Sequence, residues 1–200
     1  MLLYDYLLTD KSWKGPAVRN MSTTHLLDRV AEAHGEVCYE VPVGFKWISA
    51  KMTETDAVIG GESSGGLTVR GHIPGKDGIY SGSLLVEMVA RSGKKLSELW
   101  DGIVARYGQL EMVEDGYDFT ATRRAELTER IFTHHDLPDV GVPVDHVTWV
   151  DGCKIYFANG GWATIRFSGT EPLLRVFCEM PTEAEAAAVS KAIASYYDLA

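Results

Sequence analysis

Residues 17–61 read AVRNMSTTHLLDRVAEAHGEVCYEVPVGFKWISAKMTETDAVIGG, and their alternation of short β-type runs with helical segments decides the fold. AVRNM (17–21) reads as a strand, after which Ser22, Thr23 and Thr24 offer N-cap hydroxyls to a helix, HLLDRVAEAHG, that Gly35 stops. EVCYEVPV is the next strand, Gly44 opens the helix FKWISAKMTET, and AVIGG (57–61) is a wholly apolar third strand. Such a strand belongs in a parallel sheet covered by helices.

Downstream, GESSGG leads into a short strand LTVR, a loop GHIPGKDG (71–78) too rich in Gly and Pro for regular structure, and two helices, IYSGSLLVEMVARSG and LSELWDGIVARYG. Residues 107–118, YGQLEMVEDGYD, mix glycine with acidic side chains and read as a linker with room for a short edge strand. The remainder follows another pattern. A helix RAELTERIFTH precedes strands VTWV, KIYFAN, WATIRFS and LLRVFCEM, with two-residue turns expected at Asp151-Gly152 and Gly160-Gly161. Thr182-x-x-Glu185 is a capping box that starts an Ala-rich helix running to Tyr197. The expected fold class is α/β: a three-layer α/β/α domain with a mostly parallel sheet over 1–110, then an α+β domain with a mainly antiparallel sheet over 111–200.

Two hundred residues, 46% of them hydrophobic, suffice for one large domain or two small ones, each with an adequate core. The net charge of −9 argues against nucleic acid as a partner, because a polyphosphate backbone needs a broad basic face. Residues 113–200 carry 14 acidic against 7 basic side chains, so an anion site there needs a few focused donors. Cys38, Cys153 and Cys178 are odd in number and lack C-x-x-C spacing, which fits buried small hydrophobes in a reducing compartment. No apolar run reaches the roughly 18 residues of a membrane span, and Asp5 interrupts the opening LLYDYLL. These features lead to the expectation of a cytoplasmic protein without a membrane partner.

Three segments carry chemistry. In Gly60-Gly61-Glu62-Ser63-Ser64-Gly65-Gly66, at the end of an apolar strand, Glu62 can accept hydrogen bonds from two adjacent hydroxyls and Ser64 can donate or accept another. On its own this stretch reads equally as a glycine-rich turn with solvated polar groups. In Arg166-Phe167-Ser168-Gly169-Thr170-Glu171-Pro172, followed by Arg175, two guanidiniums, two hydroxyls and backbone N–H groups near Gly169 could converge on a phosphate. The alternative there is pairing of the arginines with Glu171 and Glu179 on a sheet surface. Lys76 in the 71–78 loop and Lys46 beside Gly44 are unspecific on spacing alone. His134-His135-Asp136 reads as a solvated loop rather than a metal cluster.

The order GFKWISAKM, GGESSGG, KDGIYSG, RFSGTEPLLR resembles the α-D-phosphohexomutase family, and the likeness to that family's third and fourth domains covers nearly the whole chain. The resemblance implies that Glu62 and Ser64 grip the 3- and 4-hydroxyls of a sugar. It implies that Arg166, Ser168, Gly169, Thr170 and Arg175 bind the phosphate that is not transferred. Lys76 matches an active-site lysine before the D-G dipeptide, and Gly44 and Lys46 match the G-F-K helix start near the substrate. Val43 stands where some members have threonine, and Ser63 is at the variable position. The string GHIPGKDG favours the branch with bacterial phosphoglucomutases and phosphomannomutases.

The implied chemistry interconverts hexose 1-phosphate and 6-phosphate: a phosphoserine phosphorylates the sugar, the hexose 1,6-bisphosphate turns over, and the other phosphate returns to the serine, with Mg2+ at the transferred group. Neither a T-A-S-H-N-P serine loop nor a D-G-D-x-D-R metal loop occurs in the 200 residues. The expectation is therefore the C-terminal half of a mutase, inactive alone and completed by N-terminal domains, with a phosphosugar as substrate. The alternative is a stand-alone phosphosugar-binding module or one subunit of a split mutase.

Overall fold

The structure, a computed structural model, describes residues 1–199 and divides into two compact units, the first Met1–Gln109 and the second beginning at Leu110. The first unit runs α1 (Leu2–Thr9), β1 (Ala17–Asn20), α2 (Leu26–Ala33), β2 (Cys38–Val41), α3 (Phe45–Thr55), β3 (Ile59–Gly61), β4 (Leu67–Val69), α4 (Gly78–Ser92) and α5 (Leu96–Tyr107). Its sheet has the order β2-β1-β3-β4, with β1 parallel to both β2 and β3 and only β4 antiparallel. Alternate residues of β1 face opposite layers. Val18 packs with Ile48 and Met52 of α3, whereas Ala17 packs with Tyr4, Leu7, Val30 and Leu84 from the other helices.

Close approach of α3 to the sheet depends on one residue. A Cβ at Gly60 would stand 2.4 Å from both Ile48 Cγ2 and Met52 Sδ, so only glycine lets the helix settle onto β3. Buried charges tie the layers together. Arg19 on β1, 3% exposed, donates to both carboxylate oxygens of Asp28 on α2 at 2.7 and 2.9 Å and to Glu40 on β2 at 2.5 Å. Asp5, the acid that breaks the opening apolar run, is buried too and receives both terminal nitrogens of Arg106 at 2.9 and 2.6 Å, pinning α1 to α5.

In the second unit come β5 (Glu111–Asp118), α6 (Ala121–Leu127) continued by a π-helical turn (Thr128–Thr133), β6 (Val144–Thr148), β7 (Cys153–Phe157), β8 (Trp162–Phe167), β9 (Leu173–Met180) and α7 (Glu183–Tyr196). All five strands are antiparallel, in the order β5-β9-β8-β7-β6. One face of the sheet, with Cys153, Ile155, Ile165, Val176 and Cys178, packs on Leu127 and Ile131 and on Val189 and Ile193 of α7. The mostly parallel α/β sheet and the antiparallel α+β sheet are as the sequence pattern implies.

Several local expectations change. Residues 111–118 are not linker but an eight-residue edge strand paired along its length with β9. Its inward face alternates Val113 and Tyr117 with Asp115, which accepts from the Ser190 hydroxyl of α7 at 2.5 Å, so the acid that disguised the strand is a packing contact. The strand read as VTWV lies earlier, at Val144–Thr148, because Trp149 leaves it to stack on His135 at 3.9 Å. The loops at 149–152 and 158–161 are longer than two-residue turns. At the start of α2, Thr24 Oγ1 accepts from Leu26 N at 3.1 Å, while the Thr23 hydroxyl donates to Asn20 Oδ1 at 2.8 Å. The Gly35 stop holds: Gly35 N reaches Glu32 O and Glu36 N reaches Ala31 O. So does the Thr182–Glu185 capping box. Cys153 and Cys178 are buried, which pushes both thiols up to about 12, and Cys38 is partly covered.

Gly60→Ala should lower the unfolding free energy by about 1–3 kcal/mol, read from urea unfolding, because Ile48 cannot retreat from the new methyl. An unchanged midpoint would remove this close approach as a determinant of the fold.

Candidate functional site

Glu62 follows β3 at the C-terminal end of the parallel strands, where side chains from neighbouring strand ends meet. The turn closes on itself, Glu62 N donating to Gly66 O and Gly65 N to Glu62 O, each at 2.9 Å. The Glu62 side chain is 6% exposed. Its Oε1 accepts from Asn20 Nδ2 at 3.2 Å, and its Oε2 meets Lys76 Nζ at 2.6 Å. Lys76 reaches it across Gly66, where a Cβ would lie 2.5 Å from the lysine Cδ. The Lys76 ammonium also stands 5.6 Å from the Phe45 ring, beside Gly44, the N-cap of α3. Thus Glu62, Lys76 and the Gly44 helix start come together. Lys46 and Ser64 do not contact the Glu62 carboxylate: Lys46 lies over its neighbour Trp47 at 4.8 Å, and Ser64 is exposed at the turn.

Asp77 anchors the loop that delivers Lys76. As N-cap of α4 its Oδ1 accepts from Ile79 N at 2.9 Å and Tyr80 N at 3.0 Å, while Oδ2 faces His72 Nε2 at 2.8 Å. The His72 ring stacks on Tyr80 with centroids 4.0 Å apart. The Tyr80 amide, then the His72 ring, hold the Asp77 carboxyl below its ordinary value.

In the second unit Arg166 on β8 and Arg175 on β9 are directly opposite each other. Like charges in that position repel, and carboxylates offset the repulsion. Arg166 Nε donates to Asp151 Oδ2 at 3.0 Å; Arg175 donates to Glu114 and to Glu171, each at 2.5 Å. The Glu171 pairing expected of a sheet surface is present, whereas Glu179 is buried and accepts from Trp162 Nε1 at 2.7 Å. Between the arginines, the Ser168 hydroxyl oxygen faces Thr170 N at 3.4 Å, Glu171 N at 3.3 Å and Thr170 Oγ1 at 3.5 Å, so two amides and two hydroxyls of an exposed loop gather around one point. Gly169 is exposed at its tip.

Residues 1–107 match the family description "Phosphoglucomutase/phosphomannomutase, alpha/beta/alpha domain III", and residues 123–195 match the C-terminal domain of the same family. The chain belongs to the phosphoglucomutase/phosphomannomutase family. It is 34% identical over 175 residues to a phosphoglucomutase/phosphomannomutase of Thermococcus kodakarensis, covering 86% of this chain and 35% of that protein. A phosphoglucosamine mutase of Rubrobacter xylanophilus is 32% identical over 172 residues, covering 84% of this chain and 34% of its own. The crystal structure of a protein assigned as a phosphomannomutase, from Thermus thermophilus, superposes with a TM-score of 0.77 at 30% identity, covering 98% of this chain and 39% of that one. The chain therefore spans little more than a third of the length of these relatives.

Asn20, Thr23, Glu114 and Asp151 pair with the motif residues of this family member but were not singled out from sequence as site residues, because pairing between distant segments brings each of them to its motif. Phe45 and Asp77 lie inside the quoted motifs, and their contacts are likewise visible only in the fold. Among the described residues no group of three or more His, Cys, Asp or Glu side chains could hold a metal ion. Among the described residues no helix is long and apolar enough to cross a membrane.

A carboxyl whose folded-state pKa is lowered adds stability above its unfolded value, 3.8 for Asp77, and loses it as pH falls through the lowered one. Asp77→Ala should therefore flatten the acid limb of the stability–pH profile and leave its neutral side parallel to that of the parent. An acid limb of undiminished steepness would show that the cap does not titrate with folding.

Proposed function

We propose that this chain is the C-terminal portion of a phosphohexomutase, an intramolecular phosphotransferase of the isomerase class, and that it holds the substrate while the phosphoryl group is exchanged elsewhere. The observation that carries the reading is the Arg166–Arg175 cross-strand pair flanking the Ser168–Thr170 loop. Two planar guanidiniums fixed side by side suit the oxygens of a phosphate dianion, and the Ser168 and Thr170 hydroxyls and the amides around Gly169 supply further donors to the same group. In this reading they bind the phosphate that is not transferred.

Glu62, with one oxygen held by Asn20 and the other by Lys76, is an acceptor for two adjacent sugar hydroxyls, and Ser64 adds a donor at the turn. Lys76 becomes free to face the sugar phosphate once hydroxyls replace it at Glu62, and Gly44 with Lys46 borders that position. The named relatives include mutases of glucose, mannose and glucosamine phosphates. These sugars differ at carbon 2 and share the 3- and 4-hydroxyls, so a carboxylate aimed at the shared pair serves all three. A phosphoserine, and magnesium with its ligands, belong in this reading to N-terminal domains outside this chain, with hexose 1,6-bisphosphate as the exchanged intermediate. The described residues offer no cluster of side chains that fits magnesium.

Titration calorimetry of the 200-residue chain with glucose 6-phosphate should show binding that weakens about 10- to 100-fold in Arg175→Ala, the range of a charge-assisted contact. Binding unchanged by that substitution would remove the phosphate-loop assignment. A coupled assay of glucose 1-phosphate to glucose 6-phosphate conversion should find no turnover by the pure chain. Measurable turnover would overturn the division of labour and leave the chain a complete catalyst.

A further inference from the structure

Asn20 ends β1 and is 3% exposed; Thr23, three residues on, is 5% exposed. Their polar atoms close a ring with the Glu62 turn. Asn20 Oδ1 accepts from Ser22 N at 3.0 Å and from the Thr23 hydroxyl at 2.8 Å. Thr23 Oγ1 in turn accepts from Ser63 N at 2.9 Å, and Asn20 Nδ2 donates to Glu62 Oε1 at 3.2 Å. The Ser22 N–H can only donate, so it fixes which end of the Asn20 amide is oxygen. The nitrogen must then face the carboxylate, since a flipped amide would set oxygen against oxygen at Glu62 and nitrogen against N–H at Ser22.

We propose that Asn20 and Thr23 are positioning residues of the sugar-hydroxyl site, holding the Glu62 carboxylate and the Ser63-Ser64 turn in the orientation that two adjacent hydroxyls require. This rests on the reading of Glu62 as the hydroxyl acceptor. Asn20 and Thr23 each have both a donor and an acceptor role satisfied, and their burial makes any broken member costly. Without the ring, Glu62 sits on a glycine-flanked turn with Lys76 as its remaining partner, a half-exposed ammonium that the sugar must displace. The ring thus separates the two partners of Glu62 by role: Asn20 stays through binding, and Lys76 exchanges.

Three variants of the full chain test this: Thr23→Val, nearly isosteric but lacking the hydroxyl; Thr23→Ser, which keeps it; and Asn20→Asp, which sets a second carboxylate against Glu62. The readout is the ratio of affinities for glucose 6-phosphate and inorganic phosphate, because the inorganic ion does not need the hydroxyl acceptor. Thr23→Val and Asn20→Asp should each cut that ratio about tenfold while leaving inorganic phosphate binding unchanged, Thr23→Ser should restore it, and the Asn20→Asp ratio should recover as pH falls and the carboxylate pair takes up a proton. Hydrogen exchange at the Ser63 amide should quicken in Thr23→Val and not in Thr23→Ser. Glu62→Gln separates the two claims. A ratio that survives Glu62→Gln sinks the hydroxyl-acceptor reading itself. A ratio lost in Glu62→Gln but intact in Thr23→Val and Asn20→Asp, or a Ser63 amide equally protected in all three variants, overturns the positioning role alone.

Discussion

The parallel pairing of β1 with β3 is the constraint from which the first unit's chemistry follows. Its register sets Val18 against Gly60 and Arg19 against Gly61, so that the next residues along the two chains are Asn20, the last of β1, and Glu62, the first after β3. Two side chains 42 positions apart in sequence become neighbours because both strands end at the same edge. A parallel pair needs a crossover, and here α2, β2 and α3 supply it, with α3 pressed onto β3 over Gly60. Glu62 thus follows β3 at the C-terminal end of the parallel strands, the position at which α/β sheets present ligand-binding groups.

That architecture was legible because it is written in period and punctuation. The apolar AVIGG run, the Gly35 stop, the Gly44 start and the Thr182 capping box each have a local physical cause, and each lies where that cause puts it. What was not legible depends on contacts between distant residues. The β5 strand looked like linker because Asp115 and Gly116 break its apolar alternation; Asp115 is tolerated inward only because Ser190 of a helix some 75 residues later offers a hydroxyl. Trp149 extended the apparent β6 strand past its end, since a large aromatic favours strands until another layer captures it.

The candidate residues of the two units divide the same way. Glu62, Arg166 and Arg175 announce themselves by residue type and spacing, whereas the groups that orient them are plain polar residues whose sequence neighbours suggest other work. Thr23 is the sharpest case. In sequence it is one of three hydroxyl residues ahead of a helix, and a cap is the natural reading. In the fold Thr24 takes the amide at the helix start, and Thr23 turns to the Ser63 backbone. A local preference lost to a tertiary one because the Ser63 N–H points inward at the buried Thr23 and needs an acceptor there.

Charge raises a question for the proposed phosphate site of the second unit, whose residues 113–200 are acidic overall, since in that reading an anion would bind against the field. The arrangement of the arginines answers it. Side by side on adjacent strands they would repel, and Glu114, Glu171 and Asp151 neutralise them. Glu114 and Glu171 are about half exposed, so their ion pairs with Arg175 are worth little, roughly 0–1 kcal/mol each, and both can turn into water at small cost. Asp151 engages Arg166 through Nε, which leaves the terminal nitrogens of that guanidinium outside the pair. A dianion that takes two guanidiniums at once gains more than either exposed carboxylate loses, because its oxygens receive both charges and the loop donors together. In the proposed reading the carboxylates act as placeholders: they keep two like charges extended and adjacent until a stronger acceptor arrives.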